Sequence, residues 1–148
     1  MGTRQQREHM VTLSHFLNLD LVLRSKSDLT ELIAHLDQGV YVLHHQEHEQ
    51  EFLLVLETTD ALDPIVCTEQ FLTVIEALPE PAKALWNGCT SRTFSYGSEG
   101  GREFPALDIT IPADLVLRIA ALGAAIGITV YPHGNAGAER KDEPDALS

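Results

Sequence analysis

From Leu17 to Leu23 leucine occupies every second position, with Asn18, Asp20 and Val22 between. That period of two predicts a half-buried strand over residues 16–24. Leu17, Leu19, Leu21 and Leu23 would share its covered face, and Asn18, Asp20, Val22 and Arg24 the other. Ser25-Lys26-Ser27 reads as a turn. Asp28 with Glu31 three residues later resembles a capping box, opening a helix whose apolar stripe is Leu29, Leu32, Ile33 and Leu36. Residues 40–45 and 52–57 read as two further strands around the polar segment 46–51. They predict a hairpin, although its turn holds no glycine. A longer helix starts at 61–64 and keeps Thr68, Phe71, Ile75 and Leu78 at helical spacing. Pro79 and Pro81 break it, because each ring removes a donor and clashes with the preceding turn. A short helical piece over 82–86 follows, before Asn87-Gly88.

Residues 92–96 predict a strand with Arg92, Phe94 and Tyr96 on one face, and 97–103, GSEGGRE, a flexible turn. The plainest pattern comes next. Leu107, Ile109 and Ile111 alternate with Asp108 and Thr110, predicting a strand over 107–111. Pro112 and Asp114 suit the first turn of a helix, Leu115, Ile119 and Leu122 form its stripe, and Gly123 stops it. Ile126, Ile128 and Val130 mark the last strand, so this strand–helix–strand unit echoes the one at the start of the chain.

The expected order is β-α-β-β-α-β-β-α-β. Helices covering one face of an antiparallel or mixed sheet make this an α+β two-layer sandwich. The first six elements match the ferredoxin-like split β-α-β pattern, and the rest extend it. One domain over 15–133 would carry a flexible arm at 1–14 and a disordered acidic tail at 134–148. The second face of the sheet would lie open, with Asp20, Arg24, Thr110, Thr129 and Tyr131 on it.

A length of 148 residues fits one domain with a sizeable core. No apolar run approaches the roughly 20 residues needed to span a bilayer, and no apolar segment of a secretory signal follows the N-terminus. Two cysteines without CxxC spacing point to a reducing cytosol. Charge changes the picture most. Residues 27–82 hold twelve of the 22 acids and no Lys or Arg, whereas elsewhere ten acids balance ten bases. The whole excess of −12 thus belongs to one continuous stretch. Such a field repels nucleic acid and anionic membranes and attracts basic partners.

Candidate chemistry is sparse. His44-His45-Gln46-Glu47-His48-Glu49 invites a metal reading, but adjacent strand residues point to opposite faces and an exposed turn explains the cluster. No GxSxG elbow occurs, neither Cys67 nor Cys89 has a histidine nearby in sequence, and GSEGGRE lacks the spacing of a phosphate cradle. Cys67, Cys89 and Trp86 read as packing residues. No catalytic residue, cofactor or metal ligand is assigned, and the chain reads as a binder, not an enzyme.

The stretches SKSDLTELIAHLDQGVYVLH and LDITIPADLVLRIAALGAAIGITVYP, with the size, acidity and β-α-β-β order, are similar to small acidic bacterial immunity proteins of polymorphic toxin systems. The resemblance implies a cytoplasmic, antitoxin-like inhibitor that occludes a basic toxin domain. Its expected binding surface is Glu47, Glu49, Glu51, Glu57, Asp60 and Asp63 from the acidic stretch, with Ser98, Glu99 and Arg102 from the glycine-rich turn. The alternative is a small-molecule or metal-sensing domain that uses the open sheet face or the histidine turn. Oligomeric state is left open.

Overall fold

The computed structural model describes residues 13–36, 39–59, 63–103 and 105–133. Its strands are β1 (His15–Ser25), β2 (Val40–His48), β3 (Glu51–Thr58), β4 (Ser91–Glu99) and β5 (Ala125–Tyr131). They form one sheet in the order β2-β3-β1-β4-β5. Every neighbouring pair is antiparallel except β4 and β5, which run parallel, so the sheet is mixed. Among the described residues four helices complete an α+β fold: α1 (Thr30–Ile33), α2 (Pro64–Glu76), α3 (Glu80–Asn87) and α4 (Ala113–Ala121).

Alternation explains where the core sits. Leu19, Leu21 and Leu23 of β1, Leu54 and Leu56 of β3, and Phe94 and Tyr96 of β4 point to one face and are buried. Against them α2 turns Cys67, Phe71, Leu72 and Ile75, and α4 turns Leu115 and Ile119, at helical spacing. Phe71 meets Phe94 edge to face, with ring centroids 6.0 Å apart at 85°. Asp63 caps α2 by accepting from the amides of Ile65 and Val66, with Pro64 in the first turn. Pro79 separates α2 from α3 as expected, whereas Pro81 lies in the first turn of α3, where its missing N–H leaves no helical bond unmade. Trp86 is buried at the end of α3 and donates its indole N–H to the carbonyl of Leu122 at 2.9 Å. Both cysteines are free and buried.

Five expectations need correction. Residues 107–111 form no strand: between Pro105 and Pro112, neither of which can donate to a ladder, the chain runs irregularly, and Ile111 packs on the core. The last unit is therefore β4-α4-β5, and the observed order is β-α-β-β-α-α-β-α-β. The glycine-rich turn is shorter than expected, because Gly97, Ser98 and Glu99 belong to β4. α1 is a single turn, opened by Asp28, whose Oδ1 accepts from the Thr30 amide at 2.7 Å. A bulge in β1 between Phe16 and Asn18 puts Phe16, not Leu17, against the core. Finally, the arm does not reach residue 14: Leu13 bridges to Glu103, and Ser14 Oγ accepts from the Gly101 amide at 2.8 Å. The remainder of that arm, residues 1–12, and the tail 134–148 lie outside the described residues, as do Asp37 and Asp60.

Candidate functional site

Sheet register aligns one row of residues across all five strands: Tyr41 of β2, Glu57 of β3, Asp20 of β1, Ser95 of β4 and Gly127 of β5. The row lies on the face away from the core. Its middle members Asp20, Glu57 and Ser95, with Asn18, Val22, Leu43, His44, Val55, Gly97, Thr129 and Tyr131, line a shallow groove of about 570 Å³. Asp20, Thr129 and Tyr131 thus stand on the open face as the alternation predicts, whereas Thr110, outside any strand, does not join them.

Asp20 and Glu57 are direct cross-strand partners, an arrangement that like charges ordinarily disfavour. Asn18 answers the repulsion. Its Nδ2 donates to Asp20 Oδ1 at 3.1 Å and to Glu57 Oε2 at 3.0 Å, one proton for each carboxylate. From the other side the Tyr41 hydroxyl donates to Glu57 Oε1 at 2.8 Å. That hydrogen bond, some burial and the negative charge of Glu57 and Asp20 push the Tyr41 hydroxyl above its ordinary pKa of 10.0. Asn18 and Tyr41 thus donate to two carboxylates that stand side by side on the open face. Such a site favours a planar, charged, multi-donor group such as guanidinium.

The residues expected to bind a partner fall in four places. Glu47, Glu49 and Glu51 cluster at the tip of the β2–β3 hairpin, where Glu51 accepts from the Thr90 hydroxyl. Glu57 is in the groove, and Asp63 is engaged as the cap of α2. Ser98 and Glu99 line a second, apolar cavity near the far end of β4, and Arg102 is exposed beyond it. Hairpin tip and β4 end sit at opposite ends of β1, whose 11 residues span roughly 35 Å. Glu31, Glu69, Glu76 and Glu80 lie on the helices of the other layer. The acidic stretch is thus spread around the molecule, and sequence proximity does not make it one patch.

His44 lines the groove, while His45 turns to Phe52, with ring centroids 6.4 Å apart. Among the described residues no three His, Cys, Asp or Glu side chains converge to hold a metal ion. Among them, too, no helix is long and apolar enough to cross a membrane. Sequence reasoning places Asn18 and Asp20 on the open face but misses the cluster. Its signal, Tyr41 and Asp20 both opposite Glu57, exists only once register is known. No protein-family model matches the chain, and no curated protein or solved structure is significantly similar to it.

Proposed function

We propose that the chain is a non-catalytic binding protein for a basic protein partner, an immunity- or antitoxin-like inhibitor of a cationic toxin domain. On this reading it acts in the cytoplasm, and the open sheet face is its capture surface. The observation that carries the reading is the Asp20–Glu57 pair, set across two strands on the open sheet face with Asn18 and Tyr41 donating to it. The net charge of −12 supplies long-range steering from every side, and the pair supplies the address. Free, buried cysteines suit a reducing compartment. We read β1, α1, β2, β3, α2 and β4 as a ferredoxin-like core, supported by the order β2-β3-β1-β4, with α4 and β5 as its extension.

A hexa-arginine peptide titrated into isotopically labelled protein tests the address. Amide shifts should centre on Tyr41, Glu57, Asp20 and Ser95, and the affinity should fall steeply from low to physiological salt. An Asp20→Asn/Glu57→Gln variant should bind at least tenfold more weakly. Shifts centred on Glu47, Glu49 and Glu51 at the hairpin tip, or a variant that binds like the original chain, would remove the open face from the proposal.

A further inference from the structure

The two outer strands of the sheet are built differently. β2 carries His44, His45, Glu47 and His48 and has a bulge between Val42 and His44. Charge and bulges are the means by which sheets blunt an edge against pairing with other chains. β5 has neither. Its sequence, AIGITVY, holds no Lys, Arg, Asp, Glu or Pro, and its register with β4 runs unbroken from Thr93↔Ala125 to Glu99↔Tyr131. Its apolar side chains are uncovered as well. Ile126, Ile128 and Val130 sit beside buried Phe94, Tyr96 and Ser98, yet are 41%, 75% and 63% exposed. With Leu107, Ile109 and Ile111 of the irregular segment they line an apolar cavity of about 430 Å³.

We infer that β5 is a dimerisation edge whose occupant is the β5 of a second copy of this chain, antiparallel about Ile128. The strand is self-complementary. Ile128 is the middle of its seven residues, so the twofold pairing sets Ala125 opposite Tyr131, Ile126 opposite Val130, and Gly127 opposite Thr129. On the helix side, Ile126, Ile128 and Val130 of both copies join into one apolar strip. At ~1.45 Å² of exposed surface per dalton of extended chain, those three residues leave about 280 Å² per copy to cover. A seven-residue edge, roughly 23 Å long in a layer ~10 Å thick, adds about 230 Å². The edge and these side chains share part of that area, so the contact stays below about 1,000 Å² over both copies, the size of a weak interface, and the dimer is concentration-dependent and not obligate. Because each copy carries −12, added salt strengthens this contact, whereas it weakens capture of a basic partner.

Sedimentation velocity of the full chain from about 2 to 200 μM, at about 0.05 and 0.5 M NaCl, tests the inference. The dimer fraction should rise with both concentration and salt, and Ile128→Arg should weaken dimerisation at least tenfold. Directly opposed cross-strand residues have β-carbons within ~5.5 Å, so Ile128→Cys should form an interchain disulfide on mild oxidation. Leu117→Cys, on exposed α4, should not. The cross-linking comparison stands even if Ile128→Arg fails to fold. A chain that stays monomeric throughout, an Ile128→Arg protein that dimerises like the original, or equal cross-linking at Leu117 and Ile128 would each overturn the assignment.

Discussion

The side-chain amide of Asn18 occupies the space that a β-carbon on Gly97 would need. The two residues are partners across β1 and β4, and a methyl at 97 would stand 2.7 Å from Asn18 Oδ1. Glycine there is what lets the amide lie over β4 and reach both Asp20 and Glu57. Gly97→Ala should therefore displace the amide and cost about 1–3 kcal/mol in urea unfolding. Asn18→Ala alone should cost about 1 kcal/mol by exposing the carboxylate repulsion. The double variant should lose less than the sum of the two, because the amide that the new methyl would strike is gone. Strict additivity would show that the contact does not couple the two positions.

The β2–β3 turn is made by Glu49 and Gln50 at φ +54° and +68°, left-handed angles that Asn and Gly adopt far more readily. Glu49→Asn/Gln50→Gly should raise stability by about 1 kcal/mol, moving the thermal midpoint up by about 3 °C. The groove lies away from this turn, so hexa-arginine binding should not change. An unaltered or lower midpoint would mean that the Glu49 and Gln50 side chains hold the tip by other contacts.

What the sequence made legible followed from local chemistry. The alternating leucines of β1 gave its buried face at Leu19, Leu21 and Leu23, and the ring of Pro79 marked the break between α2 and α3. The errors came where local pattern underdetermines pairing. Alternation over 107–111 reports one-sided burial, which an irregular segment lying on the core also produces. Leu17 continues the leucine period through the β1 bulge, so nothing marks the slip that brings Phe16 inward. Glu57 was legible as an acid but not as the neighbour of Asp20 and Tyr41. That placement depends on how β3 registers with β1 and β2 at once.

Arg92 ties two helix ends to the sheet. Its Nη1 donates to the carbonyls of Trp86 at 2.9 Å, Cys89 at 3.0 Å and Asn87 at 3.4 Å, and its Nε to the carbonyl of Gly123 at 3.1 Å. These carbonyls lie where α3 and α4 end, where unsatisfied oxygens and the helix dipole both favour a cation. Arg92→Ala should cost about 2 kcal/mol, read as a thermal midpoint lower by about 6 °C. Arg92→Lys should recover less than half, since one ammonium cannot copy the fork that spans both helix ends. Full recovery by lysine would show that charge alone suffices.

α2 and α4 are joined by a two-point contact: Arg118 donates from Nε to Glu76 Oε2 at 3.0 Å and from Nη2 to Glu76 Oε1 at 2.7 Å. Hydrogen bonding by Arg118, aided by its charge and opposed by slight burial, holds the Glu76 carboxyl below its ordinary 4.5. A carboxyl with a depressed folded-state pKa stabilises the fold above its unfolded value and loses that contribution as pH falls through the folded one. Glu76→Gln should thus lower the urea midpoint at pH 7, and the gap from the original chain should narrow at acid pH, below 4.5, as Glu76 takes up its proton. Arg118→Met should follow the same pH course, because it removes the other half of the same pair. A gap of equal size at neutral and acid pH would assign the loss to packing between α2 and α4 and not to the ion pair.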